Sequence, residues 1–395
     1  MKVPAGSSYY SQSLQVLFKI EDRFKNPGSL SIVKMKHLDD DNGIEDVHIE
    51  SIEEIIPPIG LLERYKRGKE ETATVKKGRV GIRNILEGKD SRRVLIAGPC
   101  SIHDYDEAIE YAEKLKKLSD KVEDQFHIVM RTYFEKPRTG PAWRGLISDP
   151  DMDGNFDMIK GLDISRRLLK YINGLGLPAA TEFVDPTVPQ YLSDLISWNA
   201  IGARTTQSQL YSQMATGLSM PVGFKNSLSG SISDPINAMA KCIERSAFLG
   251  TSKYGHPSIV RTTGNPECHI VLRGADDGPN YQAEQVREFQ ELLAKKGLQR
   301  KIMIDCSHGN SGKDYRKQPT VFEDVIDQVI NGNSDILGIM LESNLFEGNQ
   351  KIPDDLRGFD RSTLKYGVSV TDSCIGWQTT EEIIMTAYEK LKLVR

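Results

Sequence analysis

The sequence predicts a (β/α)8 TIM barrel, an α/β fold, preceded by an N-terminal helical extension. From residue 92 onward, short apolar runs alternate with stretches of helical hydrophobic period, which is typical of a βα-repeating protein. Eight such units fit into about 300 residues, as expected of this barrel. A doubly wound open sheet is the alternative, but it would not usually need eight units. The predicted barrel domain spans residues 91–395.

The eight apolar runs are the expected barrel strands. In chain order they read RVLIAGPC, HIVMRTYFEK, LPAATEF, AIGARTT, PVGFKN, CHIVLRG, KIMIDCSH and ILGIMLES. The remaining stretches predict helices near residues 107–121, 157–173, 188–197, 208–217, 232–247, 282–296, 319–331 and 380–393.

Two segments precede the barrel. Residues 41–90 are predicted to be an arm in which the pattern SIEEIIPP forms a helix ending at Pro57 and Pro58, and a second amphipathic helix spans 74–87. We expect this arm to close the bottom of the barrel, to mediate subunit contact or to carry regulation. Residues 1–40 are predicted to be a disordered, leader-like or tag-like extension, or a stretch read from too early a methionine.

The composition is that of an ordinary soluble protein, with 38% hydrophobic residues, 27% charged residues and a net charge of -4. Nothing in it indicates nucleic-acid or membrane binding, and no apolar run approaches the roughly 18 residues of a membrane helix. The five scattered cysteines suit a reducing compartment, so we expect a cytoplasmic protein.

Each predicted strand ends in or is followed by a residue able to do chemistry. These residues are Cys100, Arg131, Glu182, Arg204, Lys225, Arg273, His308 and Glu342. One charged residue at a strand end is more often a solvated cap or an ion-pair partner. In a barrel, however, the carboxyl ends of all strands meet at one face, so the eight together favour an active site there.

Six cations are expected around this face. They are Arg131, Arg204, Lys225 and Arg273, with Lys136 and Arg138 of the loop EKPRTGP. Such a concentration of positive charge would repel itself unless anions bound to it. Arginine suits bidentate capture of phosphate or carboxylate, so the substrates should carry several negative charges.

A second set of residues offers sulfur, nitrogen and oxygen donors. It consists of Cys100, His308, Glu342 and Asp372. This mixture suits Zn²⁺, Mn²⁺, Fe²⁺ or Co²⁺ better than Ca²⁺, but residue type alone leaves a metal site and a polar cluster equally open. Strand alternation would place Cys306 on the same side as His308, so this stretch by itself predicts both as ligands. No dinucleotide-binding or Walker motif occurs, which argues against nucleotide chemistry.

Taken together, several segments resemble the type I alpha class of 3-deoxy-D-arabino-heptulosonate 7-phosphate (DAHP) synthases, also called phospho-2-dehydro-3-deoxyheptonate aldolases. They are GPCSIHD at 98–104, FEKPRT at 134–139, GARTTQSQ at 202–209, GFKN at 223–226, DCSHGNS at 305–311, ES at 342–343 and KYGVSVTDSCIGW at 365–377. The resemblance runs from about residue 45 to the C-terminus.

The resemblance implies the condensation of phosphoenolpyruvate with erythrose 4-phosphate and water, which opens the shikimate pathway to aromatic amino acids. One divalent metal ion, Mn²⁺, Fe²⁺, Co²⁺ or Zn²⁺, would be held by Cys100, His308, Glu342 and Asp372. Phosphoenolpyruvate would be bound by Arg131, Lys136, Arg204, Lys225 and Arg273, beside Glu182, and the phosphate of erythrose 4-phosphate by Arg138 and Thr139. Lys136 is the expected proton donor, and the catalytic set is Lys136, Cys100 and His308.

The same comparison reassigns two residues of the seventh strand. Cys306 is then expected to fill the barrel interior rather than to bind metal. Asp305 is expected to orient a neighbouring group whose identity the sequence does not reveal.

Two loops depart from the family pattern and keep alternatives open. RTGPAWRG at 138–145 replaces RTTVGWKG, and NSLSG at 226–230 replaces NGTDG. The alternatives are a synthase that joins phosphoenolpyruvate to a different sugar, and a non-catalytic paralogue that binds an aromatic amino acid.

The resemblance also implies feedback inhibition by an aromatic amino acid and a homodimer or homotetramer. The expected effector residues are Asp46, Pro189, Gln190, Ser219 and Gly250. Gly250 leaves room for a hydroxyl group, which favours tyrosine over phenylalanine.

Overall fold

Eight parallel strands close into a barrel in the computed structural model, which describes residues 34–35, 44 and 46–394. The strands in chain order are β1 (Lys34–Met35), β2 (Ile52–Glu53), β3 (Arg93–Gly98), β4 (Phe126–Arg131), β5 (Ala179–Glu182), β6 (Trp198–Ile201), β7 (Val222–Lys225), β8 (Ser246–Thr251), β9 (Pro257–Thr262), β10 (Cys268–Leu272), β11 (Ile302–Asp305) and β12 (Ile336–Glu342). The barrel runs from β3 to β7, then through β10, β11 and β12 back to β3, so the predicted fold class and all eight strands are confirmed.

The predicted barrel helices are also present. The helices in chain order are α1 (Pro58–Arg64), α2 (Lys69–Leu86), α3 (Tyr105–Lys121), α4 (Met158–Gly174), α5 (Pro189–Leu192), α6 (Gln209–Ala215), α7 (Ser233–Ile243), α8 (Ala283–Lys295), α9 (Gln318–Ile330) and α10 (Trp377–Lys392). None of the described helices is long and apolar enough to cross a membrane.

The chain divides into two units, residues 1–56 and 57–395. In the first unit β1 pairs with β2 in antiparallel fashion, and most of the predicted extension 1–40 lies outside the described residues. The helix predicted from SIEEIIPP is wrong, because residues 52–53 form β2 and Pro58 begins α1 instead of ending a helix. Proline lacks an N–H and has a helical φ, so it suits the first turn of a helix.

Strand residues alternate between an inner and an outer core. Val94 and Ile96 of β3 belong to the cluster inside the barrel, whereas Leu95 and Ala97 pack in the layer beneath the surrounding helices. This alternation follows from the period of two along a strand. It decides which side chains at the strand ends face the barrel mouth.

Helix α2 closes the bottom of the barrel. Its Ile82, Ile85 and Leu86 belong to the inner cluster. The helix approaches the strand starts so closely that a Cβ at Gly81 would lie 2.6 Å from the ring of His127. Only glycine allows this approach. Of the roles expected for the arm, closure of the barrel is therefore the one that the packing of α2 supports.

The buried His127 at this closure gives the first prediction. Burial lowers its pKa to about 4, below its ordinary value of 6.5, so the folded state holds it neutral. The stability that comes from burying the neutral ring is fully present above pH 6.5. It is lost as the pH falls through 4, because the unfolded chain then binds a proton more readily than the buried ring does, and the free energy of unfolding is already lower by about 2 kcal/mol at pH 5. We expect the free energy of unfolding in urea to fall less between pH 7.5 and pH 5 for His127→Gln than for the wild type. The exposed His256, changed to Gln, is the control; equal losses in wild type and His127→Gln would contradict the assignment.

The antiparallel hairpin of β8 and β9 was not predicted. Its residues alternate between half-buried and exposed, and Leu249 and Ile259, which face each other across the pair, are 84% and 62% exposed. The turn contains Gly255 at φ +80°. The sequence has short apolar runs on both sides of a glycine, which is typical of a hairpin. This hairpin lies between two barrel units, however, where the βα repeat predicts no extra strands.

Candidate active site

Four donor groups meet at the carboxyl end of the barrel. The Cys100 thiol and one carboxylate oxygen each from Glu342 and Asp372 all lie within 4.8 Å of one another. His308 joins them, because its Nε2 lies 3.6 Å from Glu342 Oε1 and 4.0 Å from Asp372 Oδ2. Ligands that lie about 2 Å from one ion are about 3 to 4 Å apart, so Cys100, Glu342 and Asp372 fit a single divalent metal, and His308 lies beside the two carboxylates of this group.

His308 is oriented by its neighbours in the loop after β11. It begins a short 3-10 turn at φ +56°, and its Nδ1 lies 3.0 Å from Asp305 Oδ2 and 2.8 Å from Ser307 Oγ. With Nδ1 engaged, Nε2 faces the carboxylates of Glu342 and Asp372. A carboxylate on the far nitrogen is the usual support of a metal-binding histidine.

Asp305 also binds Lys225, which gives this buried carboxylate its second partner. Lys225 Nζ donates to Asp305 Oδ2 at 2.9 Å, and both side chains are buried. Burial by itself would raise the pKa of Asp305, but Lys225 and His308 outweigh it and hold the pKa well below its ordinary value. The residue is therefore a carboxylate that couples the candidate metal centre to a cation of the candidate phosphate site.

The second prediction concerns this coupling. Asp305→Asn should weaken binding of Mn²⁺ by about 10- to 100-fold, because an uncharged amide supports the imidazole less well. Calorimetric titration of the metal-free protein measures the change. Asp314→Asn is the control, since Asp314 pairs with Arg316 at the surface. Equal affinities for Asp305→Asn and the control would refute the orienting role.

Cys306 lies on the opposite side of β11 from the position expected for it. Its side chain belongs to the outer core with Ile302 and Ile304, so the predictions that it shares a side with His308 and fills the barrel interior are wrong. Strand alternation ends at Asp305, and the chain then turns, so His308 reaches the mouth from a turn. The period of two does not extend into that turn.

Lys136 lies between two of the four donors. Its Nζ donates to Cys100 Sγ at 2.8 Å and is 3.8 Å from Asp372 Oδ2. Burial and Glu342 raise the pKa of the Cys100 thiol to about 11, an effect that Lys136 partly offsets. Lys136 is the largest cause that holds the pKa of Asp372 well below its ordinary value. Burial would lower the pKa of Lys136, but Cys100 and Asp372 raise it on balance, so its ammonium group is charged at neutral pH.

Arg131 is fully enclosed and supports Glu342. Its Nη2 donates to Glu342 Oε1 at 2.9 Å, its Nε donates to the carbonyl of Pro99 at 3.0 Å, and its guanidinium lies 3.5 Å from the centre of the Tyr133 ring. Both members of the Arg131–Glu342 pair are 1% exposed. Arg131 therefore contacts the donor group through Glu342, which is one of its members.

The remaining predicted site residues lie at different depths of the mouth. Arg273 is buried, and burial together with the nearby Arg204 lowers its pKa. Arg204, Arg138 and Thr139 are exposed. Glu182 is buried, and its Oε1 has no hydrogen-bond partner among the described residues. The mouth thus offers fixed cations inside and exposed cations outside.

The two loops that depart from the family pattern, 138–145 and 226–230, are held by hydrogen bonds. In the first, the carbonyl of Arg144 accepts from the N–H of Lys136 at 2.9 Å, and the buried Trp143 donates its indole N–H to the carbonyl of Asp149 at 2.8 Å. In the second, Asn226 accepts from the N–H of Arg273 at 2.8 Å. Both loops therefore hold the backbone of a residue predicted to bind substrate, Lys136 in the first and Arg273 in the second.

Glu135 is a buried residue of this region that sequence reasoning missed. Its carboxylate accepts from the N–H groups of Val184 and Asp185 at 3.2 and 3.1 Å, and burial raises its pKa to about 8. It links the loop after β4 to the loop after β5. Its position directly before Lys136 in FEKPRT could have indicated a role at the site. Its hydrogen-bond partners are about 50 residues away in sequence, so they could not be predicted.

The expected effector residues fall in two places of the described structure. The carbonyl of Gln190, next to Pro189 at the start of α5, accepts from Lys253 in the β8–β9 turn, and Gly250 lies in β8. Ser219 is exposed, close in sequence to Gly217, which lies against Thr262 of β9. Asp46 belongs to the first unit. The turn of the hairpin that carries Gly250 therefore contacts Gln190 through Lys253.

Known proteins resemble the chain over most of its length. It matches the DAHP synthetase I family over residues 68–385. The Tyr-sensitive phospho-2-dehydro-3-deoxyheptonate aldolase of Escherichia coli is 45% identical over 350 residues, which cover 89% of this chain and 97% of that protein. The Phe-sensitive one is 47% identical over 351 residues, or 89% and 98% of the two chains. The solved structure of the Francisella tularensis aldolase has a TM-score of 0.84 at 42% identity, covering 88% of this chain and 99% of that chain.

Proposed function

The chain belongs to the DAHP synthetase I family, and we infer that it condenses phosphoenolpyruvate with erythrose 4-phosphate and water to give DAHP and inorganic phosphate. It is a 3-deoxy-7-phosphoheptulonate synthase, and relatives named Tyr-sensitive and Phe-sensitive support feedback control by an aromatic amino acid. The observation that carries the proposal is the cluster of Cys100, Glu342 and Asp372 beside Lys136 at a cationic barrel mouth, with His308 next to its two carboxylates.

The proposed metal ligands are Cys100, His308, Glu342 and Asp372. Their mixed donors suit Mn²⁺, Fe²⁺, Co²⁺ or Zn²⁺, and their spacing supports one ion. When bound, such an ion supplies a Lewis acid for the aldehyde of erythrose 4-phosphate. Asp305 holds the His308 ring, and Arg131 holds the Glu342 carboxylate. Both ligands are thus placed before any substrate arrives.

The cations of the mouth are proposed to bind the two phosphorylated substrates. Arg131, Lys136, Arg204, Lys225 and Arg273 would bind phosphoenolpyruvate, with Glu182 beside it. Arg138 and Thr139, exposed at the rim, would bind the phosphate of erythrose 4-phosphate. Fixed cations offset the repulsion between two phosphate groups and hold the reacting carbons together, which lowers the barrier.

Lys136 is proposed to supply the proton of the condensation. The methylene carbon of phosphoenolpyruvate forms a bond to the aldehyde carbon, and the aldehyde oxygen gains negative charge. Lys136, charged and 2.8 Å from the Cys100 sulfur, can donate a proton to that oxygen. Water then adds at C2 of the former phosphoenolpyruvate and phosphate leaves.

A substrate panel tests the proposal against its alternatives. The protein is incubated with Mn²⁺, phosphoenolpyruvate and a set of aldoses, and the loss of enol absorbance is followed. We expect strong turnover with erythrose 4-phosphate. Turnover with another sugar alone would show that the loops at 138–145 and 226–230 have changed the acceptor. Absence of turnover with every sugar, together with binding of an aromatic amino acid, would indicate the non-catalytic paralogue.

The proposed inhibitor is tyrosine, bound near Pro189, Gln190, Ser219 and Gly250. A Cβ at Gly250 would lie 3.0 Å from Val260 Cγ2, so glycine keeps space that a larger residue would take. Inhibition by Tyr, Phe and Trp is measured separately in wild type and Gly250→Ser. Stronger inhibition of the wild type by Phe than by Tyr would reject the preference.

A homodimer or homotetramer is proposed, to which residues 41–90 would contribute contacts. The exposed Leu249 and Ile259 of the hairpin support an interface with a second copy. Light scattering of Leu249→Asp should show smaller particles than the wild type, and unchanged mass would exclude this surface. The five free thiols support the proposal of a cytoplasmic location, which fractionation of the cells that express the protein would test.

A further inference from the structure

The long segment between β12 and α10 lies along the loop that follows β3. This segment, residues 343–376, contains isolated β-bridges and one 3-10 turn, Arg361–Thr363, and it carries Asp372. The loop after β3 carries Cys100. The two residues are 272 positions apart in sequence, yet Cys100 Sγ and Asp372 Oδ2 are 3.7 Å apart.

Three contacts join this segment to the loop after β3 and to the first turn of α3. Thr371 Oγ1 lies 2.7 Å from Ser101 Oγ next to the donor pair, and the N–H of Gly367 hydrogen-bonds to Glu107 further along. At the far end is Arg361. The segment is therefore attached to residues 101–107 at three points, 371, 367 and 361.

Arg361 makes the most extensive of these contacts. Its Nη2 donates to the carbonyl of His103 at 2.7 Å and to Asp104 Oδ2 at 2.9 Å, and its Nη1 donates to the carbonyl of Pro150 at 2.9 Å. Pro150 lies in the loop after β4, which also carries Lys136. One guanidinium therefore joins the three loops that bear Cys100, Lys136 and Asp372.

Asp372 depends on such support more than the other donors do. Its side chain is 49% exposed, whereas that of Glu342 is 1% exposed and that of His308 is 15% exposed. A half-exposed carboxylate on an irregular segment is positioned chiefly by its backbone. The backbone on either side of Asp372 is joined to residues 343–349 by isolated β-bridges. The contacts to 101–107 and 150 attach this part of the segment to the loops that carry Cys100 and Lys136.

We propose that Arg361 is a positioning residue of the metal centre, which keeps Asp372 at coordinating distance from Cys100 by clamping the segment 361–371 to the loops after β3 and β4. This role rests on the proposed metal centre but adds a residue that touches neither metal nor substrate. Loss of the clamp should affect the Asp372 ligand and leave Cys100 as a ligand.

Cobalt titration of the metal-free protein tests the clamp. Arg361→Ala should bind Co²⁺ about tenfold more weakly than the wild type, as is usual when support behind a ligand is removed. Its visible d–d bands should change as a carboxylate ligand is lost, while the ultraviolet thiolate-to-cobalt band persists. Arg361→Lys should restore part of the affinity.

Arg357→Ala is the matched control. Arg357 lies in the same segment, but its side chain is 82% exposed and it pairs with Asp355. We expect wild-type cobalt affinity and spectra for this variant. If Arg361→Ala binds Co²⁺ as Arg357→Ala does, the clamp has no role at the metal centre, whatever its effect on the melting temperature.

Two further measurements separate the possible failures. Asp104→Asn removes the charge that faces Arg361 yet keeps the oxygen that caps α3, so it should weaken Co²⁺ binding in the same direction even if Arg361→Ala does not fold. Unchanged cobalt affinity in Asp104→Asn and Arg361→Lys would overturn the proposal. A wild type without a thiolate-to-cobalt band would instead overturn the proposed metal centre, and the role of the clamp with it.

Discussion

Replacing Cys100 or His308 by alanine is expected to abolish both turnover and the retention of divalent metal. Each change removes one of four donors whose atoms lie about 4 Å or less from a neighbouring donor. Lewis-acid stabilisation is worth several kcal/mol, so its loss corresponds to about a thousandfold or more in rate. Turnover after chelation and metal add-back, and bound metal by elemental analysis, measure the two effects.

Cys306→Ala is the control for this experiment. Its thiol is as buried as that of Cys100 but lies in the outer core, so the variant should keep metal and turnover at somewhat lower stability. Full activity of either Cys100→Ala or His308→Ala after metal add-back would overturn the ligand assignment. Loss of metal from Cys306→Ala, with retention by Cys100→Ala, would show that Cys306 and not Cys100 is the sulfur ligand.

Arg131→Met is expected to cost about 3 to 5 kcal/mol of unfolding free energy, because it leaves the Glu342 carboxylate buried without its cation. The pair is 2.9 Å apart and each side chain is 1% exposed. The variant should also lose turnover, since Glu342 is a proposed metal ligand. Guanidinium unfolding in the presence of a chelator isolates the effect on stability from that of metal binding.

The double variant Arg131→Met with Glu342→Gln separates charge from packing. It should be more stable than Arg131→Met alone, because the uncompensated charge is gone. Arg316→Ala is the surface control: Arg316 is 74% exposed and pairs with Asp314, and its loss should leave the unfolding midpoint unchanged. A cost for Arg131→Met no larger than that of the control would contradict the stabilising role of the buried Arg131–Glu342 pair.

The barrel elements were predictable because their signals are local. A strand buried on both faces is a continuous apolar run, and a barrel helix shows an apolar stripe, so all eight units appear in the sequence with small errors at their ends. The β8–β9 hairpin and the start of α1 were not predicted, because neither continues the local periodicity. An insertion within a repeat and a proline that begins a helix resemble interruptions when only the periodicity is considered.

The site divides in the same way. Chemistry-bearing residues at strand ends were visible because a barrel gathers them at one face. The resemblance to DAHP synthases supplied the ligand set that residue type alone left open. The partners of Asp305, the two N–H groups held by Glu135 and the three contacts of Arg361 were not accessible, because each joins residues from different βα units.

Sequence by itself determined the barrel, the order of its strands and the residue types at its mouth, since burial and periodicity act along the chain. Only the tertiary structure decided that Cys306 packs in the outer core, that Lys225 and His308 share Asp305, and that Arg131 pairs with Glu342. Side-chain direction at the end of a strand depends on where the strand stops and the turn begins, and ion pairs depend on distances across the barrel. Both are set by the closed sheet and not by neighbouring residues.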